Sequence, residues 1–296
     1  MTIKLGYGLI SCQRHPADAR DAEQLVDEAL ELTRLAEHLG LDSIWVSEHH
    51  HVDDGHLAAL LPMLAAMGAV TSRIDLGTGL LLAPLHDPVR VAEEAAMVDL
   101  ISRGRLILGL GLGWRPEEFD AIGATQAQRV ARLEECISVL RASFAGQPTR
   151  ADAQGKPIAR ITPATQRPSG VPIWIGALVE PGIARAGRIA DGFFATEVTP
   201  EEFGAQVAIA RTAAKEAGRD PESIAMGVHL PTLVTQESWE SVRDAVRYPG
   251  WKYDDMYAQR AYAGPLGLPG PWGDGEEARL RETSLVGTPE QVAARI

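Results

Sequence analysis

Short apolar runs alternate along this chain with longer segments in which apolar residues recur at every third or fourth position. The short runs have the length of buried β-strands, and the longer spacing is typical of amphipathic helices. Residues 21–39 illustrate the helical pattern, with apolar side chains at positions 25, 29, 32, 35, 36 and 39 and a terminating Gly40. The pattern therefore predicts a series of strand–helix units.

Strands are predicted at 3–10, 42–47, 75–82, 105–111, 172–176, 192–195 and 224–235. Helices are predicted at 21–39, 57–71, 88–101, 126–144, 181–189 and 200–217, and a last helix begins within 288–296. Two stretches rich in Gly and Pro, 146–171 and 236–283, are interpreted as excursions from the repeat, the second with a possible helix at 238–247. Because strands and helices alternate strictly, we expect a parallel sheet whose apolar strands are covered on both faces.

An open doubly wound sheet and a closed eight-fold barrel both fit this alternation. An open nucleotide-binding sheet carries a Gly-rich fingerprint after its first strand, and none follows residues 3–10. A (β/α)8 barrel of the TIM type is therefore favoured, and 296 residues suit one such domain. We predict an α/β fold in which residues 1–296 form a single barrel domain.

Composition and charge narrow the possible partners. The formal charge is −12, from 40 acidic and 28 basic residues, which disfavours binding to nucleic acid or to an anionic membrane. The sequence has neither a run of 18 apolar residues nor a signal peptide's apolar region, so no membrane span is expected. The two cysteines, Cys12 and Cys136, suit a reduced cytoplasm.

The segment Glu48-His49-His50-His51 ends the second predicted strand, where barrel enzymes place their chemistry. One histidine can bind a cofactor or substrate, or move a proton near neutral pH. A shared metal ion is less favoured, because adjacent residues on a strand point to opposite faces. A solvated loop is the remaining interpretation.

Three other features have both a binding and a structural interpretation. The alternating glycines around Gly111 leave space for a flat group or allow tight packing, and they lack the spacing and the lysine of a P-loop. The loop 178–182 precedes a helix whose N–H groups can hold a phosphate, or it is a plain turn. Arg129 and Arg132 can bind a phosphate or pair with acids three or four residues further on.

The chain resembles the bacterial luciferase-like family of flavin-dependent monooxygenases. The residues that carry this resemblance are LDSIWVSEHH at 41–50, LGTGLLLAPLHDPVRVAEE at 76–94, GRLILGLGLGW at 104–114, PEEF at 116–119, PIWIG at 172–176, ADG at 190–192 and VGTPE at 286–290. The resemblance implies a (β/α)8 barrel that binds reduced FMN, or in one branch the deazaflavin F420, at its carboxyl-terminal mouth.

The resemblance also implies roles for individual residues. His49 is the expected catalytic residue, and a non-proline cis peptide is expected between Gly79 and Leu80, beneath the flavin ring. The cofactor-binding residues are expected to be Gly79, Leu80, Gly111, Arg129, Gly176, Ala177, Leu178 and Val179. Bacterial luciferase has an arginine where Leu112 aligns and a serine where Val179 aligns, so phosphate binding is expected to depend on backbone N–H groups and Arg129. No metal is expected in this site.

We therefore expect an oxidoreductase, a monooxygenase that uses O2 and reduced FMN from a separate flavin reductase on a small organic substrate. The alternatives are F420-dependent hydride transfer, a non-catalytic flavin-binding paralogue, and a zinc or iron hydrolase. A homodimer is expected through the uncharged helix 57–71 and the helix 88–101. Since only seven strands are counted and the family continues past residues 286–290, we also expect the eighth strand and last helix to be lacking and the C-terminus to be truncated.

Overall fold

The structure, a computed structural model, describes residues 3–52, 54–158, 160–258 and 269–296. These residues form two compact units, 1–176 and 177–296, each described by itself. The prediction of one domain over 1–296 stays a prediction.

The first unit alternates strands and helices as predicted. Its elements are β1 Gly6–Ile10, α1 Ala22–His38, β2 Ser43–Val46, α2 Leu60–Ala69, β3 Asp75–Thr78, β4 Leu81–Leu82, α3 Pro88–Ile101, β5 Leu106–Gly111, α4 Pro116–Ile122, α5 Arg129–Phe144 and β6 Ile173–Gly176. Short 3₁₀ helices lie at Ala83–Leu85 and Gln126–Gln128. The strands are parallel, in the order β1-β2-β3-β5-β6, and β4 also pairs with β5.

Local signals explain why the helices begin where they do. The carboxylate of Asp21 accepts the backbone N–H of Gln24, whose side chain returns a bond to Asp21, so a capping box starts α1. The carboxylate of Asp87, directly before Pro88, accepts the backbone N–H groups of Val89 and Arg90, so α3 begins at the predicted residue. The central strands bury apolar side chains completely, as in Ile44 of β2 and Leu108 of β5, whereas Tyr7 of β1 is exposed.

Two predictions for this unit are wrong in detail. The predicted strand 75–82 is two strands, because the backbone leaves the sheet at Gly79–Leu80. The peptide bond between these two residues is cis, as the resemblance implies. The segment between β5 and α5, for which no helix was predicted, contains α4. Seven residues are too few for a periodic pattern, although Pro116 at its start and the left-handed Gly123 at its end are ordinary helix boundaries.

The excursion 146–171 holds no helix and no named strand in its described residues, as predicted. It is attached to α3 through Asp99, whose side chain is fully buried. The Asp99 carboxylate accepts the backbone N–H groups of Gln166 and Arg167 at 2.8 and 3.2 Å. It also accepts Nε and Nη2 of Arg167 at 3.2 and 3.0 Å. One buried side chain therefore fixes the end of the excursion.

We expect Asp99→Ala to lower the free energy of unfolding by about 3 kcal/mol, because it removes four charge-assisted hydrogen bonds from a buried site. The matched control is Arg150→Ala, since Arg150 also belongs to the excursion and pairs with Asp87, the N-cap residue of α3, in an exposed position. That change should cost less than about 1 kcal/mol. Urea unfolding of both variants measures the difference, and equal losses would contradict the assignment.

The second unit contains five helices and four strands among its described residues. They are α6 Glu180–Ile189, β7 Gly192–Thr196, α7 Pro200–Glu216, β8 Ala225–His229, β9 Thr232–Val234, α8 Trp239–Ala258, α9 Glu276–Thr283, β10 Leu285–Gly287 and α10 Pro289–Ala293. A 3₁₀ helix lies at Pro221–Ser223. β7 pairs with β8 and β9 pairs with β10, both in parallel. Among the described residues, no helix has the length and apolar character needed to cross a bilayer.

Three predictions for the second unit need correction. The predicted strand 224–235 is divided into β8 and β9, which lie in different sheets. The stretch 236–283, predicted as irregular with one possible helix, contains α8 and α9, and its residues 259–268 lie outside the described part. A strand, β10, occurs after residue 235, where none was predicted. The last helix begins as predicted, with the Thr288 hydroxyl accepting the N–H of Gln291.

Candidate active site

The segment 48–51 that leaves β2 divides into buried and exposed side chains. His49 is 7% exposed and Glu48 is 2% exposed, whereas His51 is exposed and has a positive φ of 54°. A solvated loop therefore describes His51 and not the buried Glu48 and His49. All three residues belong to the first unit.

His49 is paired with a buried carboxylate. Its Nδ1 lies 2.9 Å from Oε1 of Glu118 in α4, and Glu118 is completely buried. A carboxylate only accepts hydrogen bonds, so Nδ1 carries the proton toward Glu118 and the acid–base work falls to Nε2. The pair therefore fixes both the orientation and the tautomer of His49.

Two further contacts hold Glu118 in place. The same oxygen accepts the backbone N–H of His50 at 2.9 Å and lies 3.6 Å from Nη1 of Arg115. That Nη1 donates to the carbonyl of His50 at 2.7 Å, and the Arg115 side chain is 1% exposed. The sequence alone indicates no role for Glu118 or Arg115, since residues 116–119 contribute only to the family resemblance. A glutamate following a strand of the sheet is the available signal.

Glu48 joins two other histidines. Its Oε1 accepts Nε2–H of His50 at 2.6 Å and Nε2–H of His86 at 2.7 Å, and its Oε2 accepts the N–H of Leu82 at 2.7 Å. Burial opposes ionisation of Glu48, but these hydrogen bonds outweigh it and hold its pKa at about 2. The bond to Glu48 in turn raises the pKa of His50. We call these three residues the Glu48–His50–His86 cluster.

Aromatic rings enclose His49. The ring of His56 meets it edge-on with centroids 4.9 Å apart, and the ring of Trp114 lies at 5.9 Å. Nε2 of His56 donates to the carbonyl of Ser47 at 3.2 Å, so its buried Nδ1 is an acceptor without a hydrogen-bond partner in the structure. Burial, and then the neighbouring His49, lowers the pKa of His56 to about 3. His56 is therefore a neutral wall of the site.

The neutral state of His56 makes stability depend on pH. An unfolded chain protonates this residue near pH 6.5, the ordinary value, while the folded chain does not until about pH 3. Between these values the unfolded state binds one more proton, so the contribution of His56 to stability falls as the pH falls, by about 1.4 kcal/mol per unit. We expect His56→Gln to lose this slope above about pH 4.5, because a glutamine side chain binds no proton in either state.

Urea unfolding of the parent and of His56→Gln across pH 4.5–6.5 measures this difference. If the free energy of unfolding depends on pH equally in the two proteins, His56 is not neutral.

The glycines of the sheet accommodate the side chain of Leu80. A Cβ placed on Gly111 would lie 3.0 Å from Cδ1 of Leu80. One on Gly109 would meet the carbonyl oxygen of Thr78 first and would also lie 3.1 Å from Cδ2 of Leu80. A Cβ on Gly176 would meet the same side chain. Of the two interpretations left open by the sequence, tight packing describes these glycines in the structure. The structure thus brings Gly79, Leu80, Gly111 and Gly176 together, and their contact with a cofactor stays a prediction.

The two arginines of α5 differ in their contacts. Nε of Arg132 donates to the carbonyl of Pro84 at 2.6 Å, which commits this side chain to a structural role. Nη1 of Arg129 reaches the carbonyl of Gly113 only at 3.4 Å. Arg129 therefore retains more capacity for an anionic ligand than Arg132.

In the second unit, the loop after β6 keeps its side chains in solvent. Leu178 and Val179 are 72% and 63% exposed. Val179 precedes α6 as its N-cap and makes no side-chain hydrogen bond to the first turn. Pro181 in this turn has no N–H, and the N–H groups of Gly182 and Ile183 donate to the carbonyl of Val179 at 2.9 and 3.1 Å, so few backbone donors remain there for a phosphate. The role of Ala177, Leu178 and Val179 stays a prediction.

Comparison with known proteins identifies relatives of this chain. The model of the luciferase-like monooxygenase family matches residues 7–296. The chain is 27% identical to 4-hydroxyprotoasukamycin monooxygenase of Streptomyces nodosus subsp. asukaensis over 96% of this chain and 77% of that protein. It is 34% identical to an F420-dependent glucose-6-phosphate dehydrogenase of Nakamurella multipartita over 66% of this chain. The chain spans only 61% and 56% of the length of two curated relatives.

Solved structures with the same fold support the predicted class. The crystal structure of monooxygenase RslO1 from Streptomyces bottropensis matches with a TM-score of 0.81 and 24% identity, over 99% of this chain and 87% of that one. This likeness confirms the luciferase-like α/β barrel class predicted from the sequence.

Proposed function

The chain belongs to the luciferase-like monooxygenase family, and from this premise we propose that it is a flavin-dependent oxidoreductase, a monooxygenase that uses reduced FMN and O2 on a small organic substrate. The observation that carries the proposal is the buried pair of His49 and Glu118. An imidazole whose tautomer is fixed by a carboxylate is suited to holding or moving one proton beside a redox cofactor.

The residues present fit a flavin. Arg129 has capacity for a phosphate. Leu80 is half-buried and packs on Gly111 and Gly176, and we expect a flat ring to lie against this aliphatic side chain. When bound, the reduced flavin supplies the electrons for the reaction, and the protein supplies position and shielding.

Each residue around His49 has a separate task in this proposal. His49 holds or moves a proton at Nε2, while Glu118 is a positioning residue that keeps Nδ1 protonated. Arg115 holds Glu118 and the backbone of His50. The rings of Trp114 and His56 limit access of water to His49, which prevents loss of its proton to solvent.

The second candidate function is F420-dependent hydride transfer without an oxygen step. It is favoured by the 34% identity to an F420-dependent dehydrogenase and by Leu112, since bacterial luciferase has an arginine at the aligned position. His49 would then hold a proton of the substrate or product.

Two assays distinguish these functions. We expect the purified chain to consume O2 above the background of a flavin reductase when it is given FMN and a panel of small organic substrates. F420-dependent chemistry would instead change the F420 absorbance under anaerobic conditions with an alcohol panel. Flavin binding without either activity would favour the non-catalytic alternative and contradict the proposal.

We also propose a cytoplasmic homodimer supplied by a separate flavin reductase. The large side chains of α2, such as Leu60 and Met67, are buried within the chain. The neighbouring α3 exposes Met97 and Ile101, at 46% and 38%. The large apolar side chains available for a dimer interface on these two helices therefore lie on α3. Light scattering should give a dimer that dissociates in Met97→Asp, and a monomeric parent would contradict this part.

A further inference from the structure

We propose that the Glu48–His50–His86 cluster is a binding site for a divalent transition-metal ion of the Zn2+ class. Its three ligand atoms, two imidazole nitrogens and one carboxylate oxygen, all lie within 4.8 Å of one another. Two histidines and a glutamate make up the protein ligands of one type of zinc site, in which water completes the coordination. Imidazole and carboxylate ligands also suit Co2+, Ni2+ and Fe2+.

Adjacent histidines on a strand point to opposite faces and so rarely share an ion, but the three ligands of this cluster are not adjacent in the chain. Glu48 and His50 are two residues apart, so in an extended segment their side chains leave the same face. His49 between them turns to Glu118 instead. The third ligand, His86, directly follows the 3₁₀ helix Ala83–Leu85.

Each ligand is held by a contact outside the cluster. The second oxygen of Glu48 accepts the N–H of Leu82, and the backbone of His50 is bonded on both sides, to Glu118 and Arg115. The backbone N–H of His86 donates to the carbonyl of Ala83 at 3.2 Å. Because these contacts do not depend on bonds within the cluster, the carboxylate of Glu48 and the backbones of the two histidines are positioned before an ion arrives.

Metal binding requires a small and specific change. The ion replaces the two protons that now join Nε2 of His50 and Nε2 of His86 to Glu48. Each neutral ring then carries its proton on Nδ1, and a ring that was protonated releases one proton to solvent. Tetrahedral bonds of about 2.0–2.1 Å would open the nitrogen–oxygen distances to roughly 3.3 Å.

The two histidine side chains of the cluster are accessible enough for an ion to replace their protons. The side chains of His50 and His86 are 16% and 29% exposed, so their rings can turn and an ion can enter from solvent. Glu48 is buried and supplies a negative charge that the ion neutralises. A bound ion would join the segment after β2 to the start of α3, and it would therefore stabilise the fold. This inference does not rest on the proposed function.

Titration calorimetry of the chelator-treated full chain with Zn2+, together with the visible absorption of added Co2+, tests the proposal. We expect one ion per chain, a tetrahedral or five-coordinate Co2+ spectrum, and a higher melting temperature with Zn2+. His86→Gln and His50→Gln should each weaken Zn2+ binding by at least about 100-fold, since even residues that only orient ligands are worth 10–100-fold. His51→Gln is the matched control and should bind as the parent does.

Circular dichroism without metal shows whether each variant is folded, and His86→Gln alters a partly exposed ring that tolerates replacement. The proposal is overturned if the folded parent binds no Zn2+, which would leave the cluster as a hydrogen-bonded group only. It is also overturned if His86→Gln binds as tightly as the parent, or if His51→Gln loses binding, because the ion would then lie on other residues.

Discussion

His49→Ala is expected to lower turnover with the reduced cofactor by roughly 10²–10⁴-fold, the usual contribution of a positioned acid–base group. The change removes the imidazole that Glu118 orients and leaves the backbone contacts of the neighbouring His50 in place. We therefore expect the variant to fold and to bind cofactor with nearly unchanged affinity. Steady-state kinetics and a cofactor titration on the same preparation separate these effects.

The matched control for this experiment is His51→Ala. His51 belongs to the same histidine segment, but its side chain is exposed, and its removal should change turnover little. Equal losses from the two variants would show that the segment acts only as a structural unit. Full activity in His49→Ala would remove this residue from the mechanism.

Glu118→Gln is expected to lower the maximal rate by roughly 10²–10⁴-fold, as found when an amide replaces the carboxylate partner of a catalytic histidine and stabilises the wrong tautomer. A glutamine has the same size, but its amide can donate to Nδ1 of His49, which then loses its proton at that atom. Because Glu118 is a positioning residue, cofactor affinity should change much less than the maximal rate. The ratio of these two effects identifies the role.

Glu117→Gln provides the control, since Glu117 lies beside Glu118 on α4 and its replacement removes the same charge. We expect near-parental activity from it. Glu118 also neutralises the buried Arg115, so its replacement will reduce stability. The positioning role would be wrong if activity loss matched the unfolded fraction, or if cofactor affinity fell as much as the rate.

Local signals in the sequence were sufficient for most of the first unit. The helix 88–101 was predicted at its observed bounds, because Asp87 and Pro88 define its start without help from the rest of the fold. The strand end that carries His49 was likewise placed by an apolar run. The interruption at Gly79–Leu80 has no such apolar signal, and only the family resemblance indicated it.

Other features depend on contacts between residues far apart in the chain. α8 and α9 are joined by the pairs Arg247–Glu276 and Arg243–Glu277, and Arg247 lies 4.5 Å from the ring centre of Trp272. In a stretch rich in Gly and Pro, no periodic pattern of apolar residues predicts such ion pairs. α9 was missed for this reason.

The same limit applies to the site. Glu118 is 69 residues from His49, and His86 is 38 residues from Glu48, so nothing near either histidine identifies its carboxylate. A sequence pattern predicted that chemistry occurs after β2. It could not predict which acid orients which histidine, since that depends on how the sheet aligns the ends of its strands.

Anaerobic titration of the purified chain with reduced FMN and with reduced F420 tests the central claim most directly. The account predicts that one of these cofactors binds once per chain with a micromolar or lower Kd. It also predicts that Arg129→Ala weakens this binding, whereas Arg132→Ala does so much less. A folded chain that binds neither cofactor in the micromolar range would contradict the account.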